Sequence, residues 1–478
     1  MEQAKKHFLK NLVGFSMVSW VSFAIGFIAT PIGTRLFPPE EWGKINLFHT
    51  YATLLASLCY LGLDQAFVRF FREPPGNISR AGMLSFCAIT SLSFSLLSSA
   101  LLLFGWRSVS AGVTGDPDLP VFICLCLFSS STVLFRYLSL CYRMEQNTRL
   151  YSIQGILHVL LTKIGYLAAG VGGGRGATAI LVLTFLMAAL TGVFTLIQRK
   201  RFDLRLTAQI NKPFLKDMTL YAAPLIPLTL ITWLNSSVSS LTLRQLEGFG
   251  AVGIYSSALG LASSVNVIQT GFNTYWAPYI YENYQSGNSR RFFTVHRLMA
   301  CLLTFFGLTV TVLQVPIFLL LGERYRGSAV FFPYLFLAPI CYCLSETTGI
   351  GIGIAKKTYW NTIAFLVSVL VNLGLCLWLI PWIGPSGAAL SSAVAAIFSL
   401  ALRTWAGEKY YQAIPDYRYL VYAVFLMMAA ATGNILLTEQ SALKYALFTV
   451  ILGLAGFLFR HELWQLIQTA RQLLHKGD

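Results

Sequence analysis

The chain has 478 residues, of which 56% are hydrophobic and 11% charged, with a formal net charge of +16. Roughly half the usual share of charge over so long a chain excludes a soluble globular protein and indicates an integral membrane protein. The positive charge does not signal nucleic acid, because it is distributed around the ends of apolar segments.

Runs of about 20 apolar residues, each long enough to cross a bilayer as a helix, recur along the chain. They predict an all-α integral membrane protein of about 14 transmembrane helices, over roughly 11–34, 44–64, 81–105, 119–142, 150–172, 177–198, 217–242, 250–273, 297–320, 329–354, 358–381, 385–403, 418–437 and 442–460. Helices are required because lipid offers backbone groups no partner, and the runs are too long for barrel strands. With the N-terminus in the cytoplasm, the even-numbered connections and both termini collect most of the 35 Lys and Arg. That is the positive-inside bias, and it predicts cytoplasmic N- and C-termini.

At the N-terminus, Lys5 and Lys6 precede an apolar stretch as in a signal peptide. The stretch is too long for one and carries no small-residue cleavage site, so a retained first helix is expected. Arg35 and Arg244 follow the first and seventh spans at the expected outer mouth, as interfacial anchors or as binding residues. Asp64 and Arg69 close the second span, either paired to fix the helix end or facing substrate. Arg136 in the fourth span either snorkels to the cytoplasmic surface or serves the substrate. In the fifth span Gln154 and His158 share a face, and a proton-linked role for His158 is one reading. Lys163 lies thirteen residues into that span, about 20 Å along a helix, too deep for easy snorkelling.

The basic run from Arg199-Lys200-Arg201 to Lys216 is expected to be a cytoplasmic linker attracted to anionic lipid. Pro224 and Pro227 predict a kink near the inner end of the seventh span, in which Asn235-Ser236-Ser237 forms a polar patch. Asn266, Gln269 and Asn273 follow helical spacing in the eighth span and are expected to face a cavity. Glu346 is the only acidic residue expected deep in the second half, and Asn372 occupies the repeat position of Lys163. The nine cysteines fall almost entirely inside apolar runs without ligand spacing, as packing residues. After Arg460, Leu463, Ile467, Ala470 and Leu474 recur at helical spacing, predicting a cytoplasmic amphipathic tail over 461–478.

The sequence also repeats itself. Phe8-Leu9-Lys10-Asn11 returns as Phe214-Leu215-Lys216-Asp217, Gly62-Leu63-Asp64 as Gly271-Phe272-Asn273, Leu161-Thr162-Lys163-Ile164-Gly165 as Leu370-Val371-Asn372-Leu373-Gly374, and Gly176-Ala177 as Gly387-Ala388. Two halves of equal length with an even number of crossings imply parallel repeats, as in transporters that move one half against the other. The expected organisation is an N-lobe over 1–205, a C-lobe over 206–410, accessory helices over 411–460 and the tail. A cavity between the halves would be cationic on one wall, which suits an anionic head group and repels a cationic drug. The sequence holds no HExxH, GxSxG, Walker-type or Cys/His pattern, so no cofactor, metal or catalytic group is expected.

The stretches Thr34-Arg35-Leu36-Phe37 to Glu41-Trp42-Gly43 and Gly62-Leu63-Asp64-Gln65-Ala66-Phe67-Val68-Arg69-Phe70-Phe71, with Gly253-Ile254-Tyr255-Ser256 and Trp276-Ala277-Pro278, resemble bacterial lipid-linked oligosaccharide flippases of the Wzx type. The resemblance implies the multidrug/oligosaccharidyl-lipid/polysaccharide exporter fold, two MATE-like six-helix lobes around a central cavity. It implies a flippase in the bacterial cytoplasmic membrane, not an enzyme, that turns a polyprenyl-diphosphate-linked oligosaccharide to the outer leaflet for envelope polysaccharide assembly. Its partners would be that lipid, membrane lipids and other assembly proteins. Lys163, Arg136 and Arg69 are the positions that fit the family's cationic cavity. Lipid II flippases resemble the same architecture but carry arginines inside the first span, where this chain has none between Lys10 and Arg35. A proton or sodium ion is the candidate coupling ion, with Asp64, Glu346 and His158 as candidate carriers. The rival readings are a MATE-like ion-coupled drug or cation antiporter, and a membrane-embedded polymerase or acyltransferase.

Overall fold

The computed structural model describes residues 20–75, 78–171, 173, 175–202, 211–263, 265–284 and 289–474. The side chains of 266–268, 270, 274, 275, 277, 289 and 469–474 lie outside the described set, as do Lys5, Lys6, Lys10, Arg205 and Lys476. Among the described residues, all regular structure is helical. Among the described residues nine helices are long and apolar enough to cross a membrane, or up to eleven when each of two bent pairs counts as one span. The chain is therefore a multi-pass membrane protein. It divides into two compact units, Met1–Ser237 and Val238–Asp478, a division that falls inside the seventh expected span, where the sequence placed the lobe boundary at 205.

The first unit opens with α1 (Trp20–Leu36). Pro39 then starts α2 (Pro39–Cys59), with Glu40 and Glu41 in its first turn, where the missing N–H costs nothing and the helix dipole favours carboxylates. The second expected span is broken: α2 and α3 (Leu63–Phe70) meet at 53°. Gly62 makes the bend, since its φ is +72° and a Cβ there would lie 2.5 Å from the Ala222 carbonyl oxygen. Ser79 caps α4 (Arg80–Leu102) by accepting from Gly82 N. A short α5 (Trp106–Thr114), absent from the sequence expectation, follows before α6 (Leu119–Met144), which Asp118 caps.

Asn147 caps α7 (Thr148–Lys163), and a 3-10 turn leads through α8 (Ala168–Val171) to α9 (Gly176–Gln198). The expected kink in the seventh span is a break, α10 (Lys212–Ala222) being separated from α11 (Leu225–Leu246) at Ala223–Pro224. The core of this unit gathers Phe67, Leu84, Tyr137, Leu140, Phe214 and Met218. Phe214, chosen in the sequence as a repeat landmark, is fully buried there.

In the second unit α12 (Phe249–Ala262) and α13 (Val265–Asn283) divide the eighth expected span. Next come α14 (Ser289–Val312), α15 (Gln314–Leu319) and a 3-10 stretch, Glu323–Val330, bent by 60° against α16 (Phe332–Thr348). After α17 (Ile350–Ile354), α18 runs from Tyr359 to Tyr410 over 52 residues. At about 1.5 Å per residue a straight helix of that size would exceed two bilayer cores of about 30 Å. It is interrupted at Ile383 and Gly384, the latter at φ +53°, between the eleventh and twelfth expected spans. α19 (Arg418–Leu436), α20 (Ser441–Leu458) and α21 (Arg460–Leu474) complete the unit, α21 occupying the place of the expected tail helix. Its core joins Trp276, Phe292, Ile350 and Ile414.

Candidate functional site

In the first unit, Gln154, His158 and Lys163 all lie on α7. Gln154 is fully buried, and neither atom of its carboxamide has a hydrogen-bond partner. His158, one turn on, stacks on Phe135 of α6 at 4.8 Å and 22°. Lys163 ends the helix. A second imidazole, His49 of α2, meets Phe128 of α6 edge-on at 5.9 Å. Lys163 is exposed and both histidines are half-buried, so the group remains accessible. Among the described residues no ion pair includes Lys163. In a membrane span, as the sequence places Lys163, a cation without a carboxylate partner is costly unless an anion from outside the chain offsets it.

Arg136 and Asp64 form the second charged group. Arg136 donates from Nε at 3.3 Å and from Nη2 at 3.1 Å to Asp64 Oδ2, which also accepts from Gln65 Nε2 at 2.8 Å. The expected Asp64–Arg69 pair is thereby corrected. Five residues apart on a helix turning about 100° per residue, the two side chains point about 140° apart. Arg69 instead lies exposed beside the Phe70 ring at 5.7 Å.

In the second unit the buried charges close on themselves. Arg403 of α18 is only 6% exposed. It donates to Glu346 Oε1 at 2.8 Å, to Asn361 Oδ1 at 3.1 Å and to Ser345 Oγ, with its guanidinium 5.1 Å from the Tyr342 ring centre. Glu346, expected as a candidate ion carrier, is thus paired, and its backbone oxygen accepts from Trp276 Nε1 at 3.0 Å. Asn372 is buried, donates to Ser239 Oγ at 3.2 Å and accepts from Cys376 Sγ at 3.3 Å, so its amide is engaged within the unit.

The remaining expected residues are dispersed. Arg35 is exposed at the end of α1. Arg244 is half-buried near the end of α11, with its guanidinium 3.7 Å from the Phe249 ring centre. Asn235 is half-buried on α11, on the first unit's side of the division. Gln269 and Asn273 are half-buried on α13, and the Asn273 Oδ1 is buried without a partner. The side chain of Asn266 lies outside the described residues.

Three features were missed in the sequence. His49 sits in an apolar run where a single imidazole carries no signal. Arg403 closes the twelfth expected span and passes there for an interfacial anchor. His296 of α14, fully buried with Nδ1 2.8 Å from Thr347 Oγ1, has no motif around it. Among the described residues no group of three or more His, Cys, Asp or Glu is placed to hold a metal.

Bent span pairs, broken helices and buried polar links within each unit make up a multi-pass membrane fold. The structure is similar to the inward-closed lipid II flippase MurJ, with a TM-score of 0.68 and 13% identity over 94% of this chain and 99% of that one. It is similar also to a MATE transporter of Vibrio cholerae, with a TM-score of 0.58 and 12% identity over 87% of this chain and 98% of that one. An inward-facing multidrug resistance MATE transporter of the MOP superfamily gives a TM-score of 0.55 and 14% identity over 81% of this chain and 94% of that one. No curated protein sequence matches. The model of the polysaccharide biosynthesis protein family matches residues 8–284. The chain belongs to that family.

Proposed function

We propose that the protein is a flippase that carries a polyprenyl-diphosphate-linked oligosaccharide from the inner to the outer leaflet of the bacterial cytoplasmic membrane, for assembly of a cell-envelope polysaccharide. The observation that carries the reading is the exposed Lys163, without an acidic partner among the described residues. A diphosphate supplies the missing counter-charge through charge-assisted hydrogen bonds. The membership of a polysaccharide biosynthesis family supports the same substrate class.

In this reading the described helices group into fourteen crossings with both termini cytoplasmic. Two six-helix repeats are supported by the corresponding close pairs, α6 with α9 and α16 with α18. Alternating access exposes the cationic cluster first to the inner and then to the outer side. A membrane potential positive outside favours outward passage of the anionic head, by about 2.3 kcal/mol per charge per 100 mV. Asp64 and Glu346 are each held by an arginine. Of the three candidates offered by the sequence, that leaves His158 for proton coupling.

The test is reconstitution into liposomes with a fluorescent polyprenyl-diphosphate oligosaccharide, followed by protection of the label from an external quencher. Transport by the wild type and its loss in Lys163→Ala is the expected result. Efflux of a soluble cation, with no movement of any lipid-linked sugar, would overturn the reading in favour of the antiporter.

A further inference from the structure

We propose that the end of the first unit bearing Arg80 and Arg201 is a binding site for the phosphate of a membrane lipid. A cavity of about 240 Å³ lies where α3 and α6 end and α4 begins, walled by Phe67, Phe71, Leu84, Arg80, Glu145 and Arg201 among others. Both guanidinium groups are steadied by rings, Arg80 at 5.2 Å from the Phe71 ring centre and Arg201 at 4.8 Å from that of Tyr142. Arg201 gives Nη2 to Glu145 Oε2 at 2.7 Å, while its Nη1 is buried and has no hydrogen-bond partner. A guanidinium carries five donors in a fixed fork that matches phosphate, and a buried donor left unbonded is costly.

One carboxylate against two guanidinium groups leaves the cavity cationic. Arg80 also opens α4, so the positive end of that helix dipole adds to the same sign. The apolar half of the wall decides the ligand class. Phe67, Phe71 and Leu84 offer nothing to a hydrated inorganic ion, but they suit the first carbons beside a lipid phosphate. The volume holds a head group and excludes the full chains, which stay in the bilayer. Neither Arg80 nor Arg201 belongs to the Lys163 cluster, so the site stands apart from the transport reading.

The test uses the full-length protein in detergent, titrated with dioleoyl phosphatidic acid and read by native mass spectrometry, with thermal unfolding recorded for every variant. The double variant Arg80→Gln/Arg201→Gln should weaken binding about ten-fold or more, the order of two lost charge-assisted contacts. Glu145→Gln, which frees the second arm of Arg201, should tighten it, an outcome that a failure to fold cannot imitate. Where the double variant does not fold, Arg80→Gln alone, at an exposed position, carries the comparison and should weaken binding. Inorganic phosphate at equal concentration should not displace the lipid. Unchanged affinity in the arginine variants, weaker binding in Glu145→Gln, or displacement by inorganic phosphate would each overturn the proposal, the last by assigning the cavity to the free ion.

Discussion

Arg136 and Asp64 stand 72 residues apart in the chain and meet at 3.1 Å, joining α6 to the short α3 beyond the bend at Gly62. The two partners are unequally placed, with Asp64 6% exposed and the Arg136 side chain 37% exposed. Removing the carboxylate leaves a guanidinium that still reaches water. Removing the guanidinium leaves a buried, uncompensated carboxylate. Arg136→Met should therefore cost about 3–5 kcal/mol, and Asp64→Asn about 1 kcal/mol. Thermal unfolding in detergent measures both, and an Asp64→Asn loss equal to the Arg136→Met loss would show that the pair is not buried as described.

Lys163 presents the opposite case, a charge whose removal should relieve the fold. Among the described residues no ion pair includes it, so its charge has no counterpart to lose. Lys163→Met retains the length of the side chain and deletes the charge. The expected result is an unfolding temperature equal to or above that of the wild type, together with transport reduced at least about ten-fold, the order of a lost charge-assisted contact. Lys163→Arg should keep part of the activity. A Lys163→Met protein that flips lipid-linked sugar at the wild-type rate removes the residue from the site.

The Arg403 cluster predicts a strong thermodynamic coupling. Arg403→Met strands Glu346 and the polar groups of Ser345 and Asn361, at a cost of about 3–5 kcal/mol. Glu346→Gln keeps the other hydrogen bonds of Arg403 but leaves its buried charge without a counter-ion, and should also cost about 3–5 kcal/mol. The double variant should be more stable than the sum of the two predicts, by about 1 kcal/mol or more, because no unpaired carboxylate remains. Additive losses would mean that the 2.8 Å contact contributes nothing of its own.

The sequence made the spans legible because their length and apolarity follow from the thickness of the bilayer, whatever their neighbours. It also showed where one of them breaks, since Pro224 denies the helix a regular bond. The bends at Gly62 and before Phe332 were not legible as bends, since each depends on a contact with another helix or on a distant side chain. Charge showed the same divide. Lys163 stood out because depth alone makes a cation costly. The partners of Arg136 and Glu346 did not, because each ion pair joins helices that only the fold brings together. Local spacing suggested Arg69 for Asp64, and helical geometry excludes it.

The sharpest test of a buried polar link lies at Asn434 of α19. Asn434 is fully buried and donates from Nδ2 to the backbone oxygens of Ala329 and Val330 at 2.9 and 2.7 Å, and to Gln314 Oε1 at 3.2 Å. Its own oxygen accepts from Gln314 Nε2 at 2.6 Å. These bonds satisfy the carbonyls released where Glu323–Val330 turns by 60° into Phe332–Thr348. Asn434→Leu matches the volume and leaves two backbone acceptors and one carboxamide buried without partners. The cost should be about 2–4 kcal/mol, since each such orphaned group costs about 1–3 kcal/mol and part of it relaxes. Asn434→Asp should fare no better, because a carboxylate accepts from Gln314 yet offers the carbonyls nothing. Hydrogen exchange at Ala329 to Phe331 should rise in both variants alongside the fall in unfolding temperature. Unchanged exchange there would mean that the bend holds without α19.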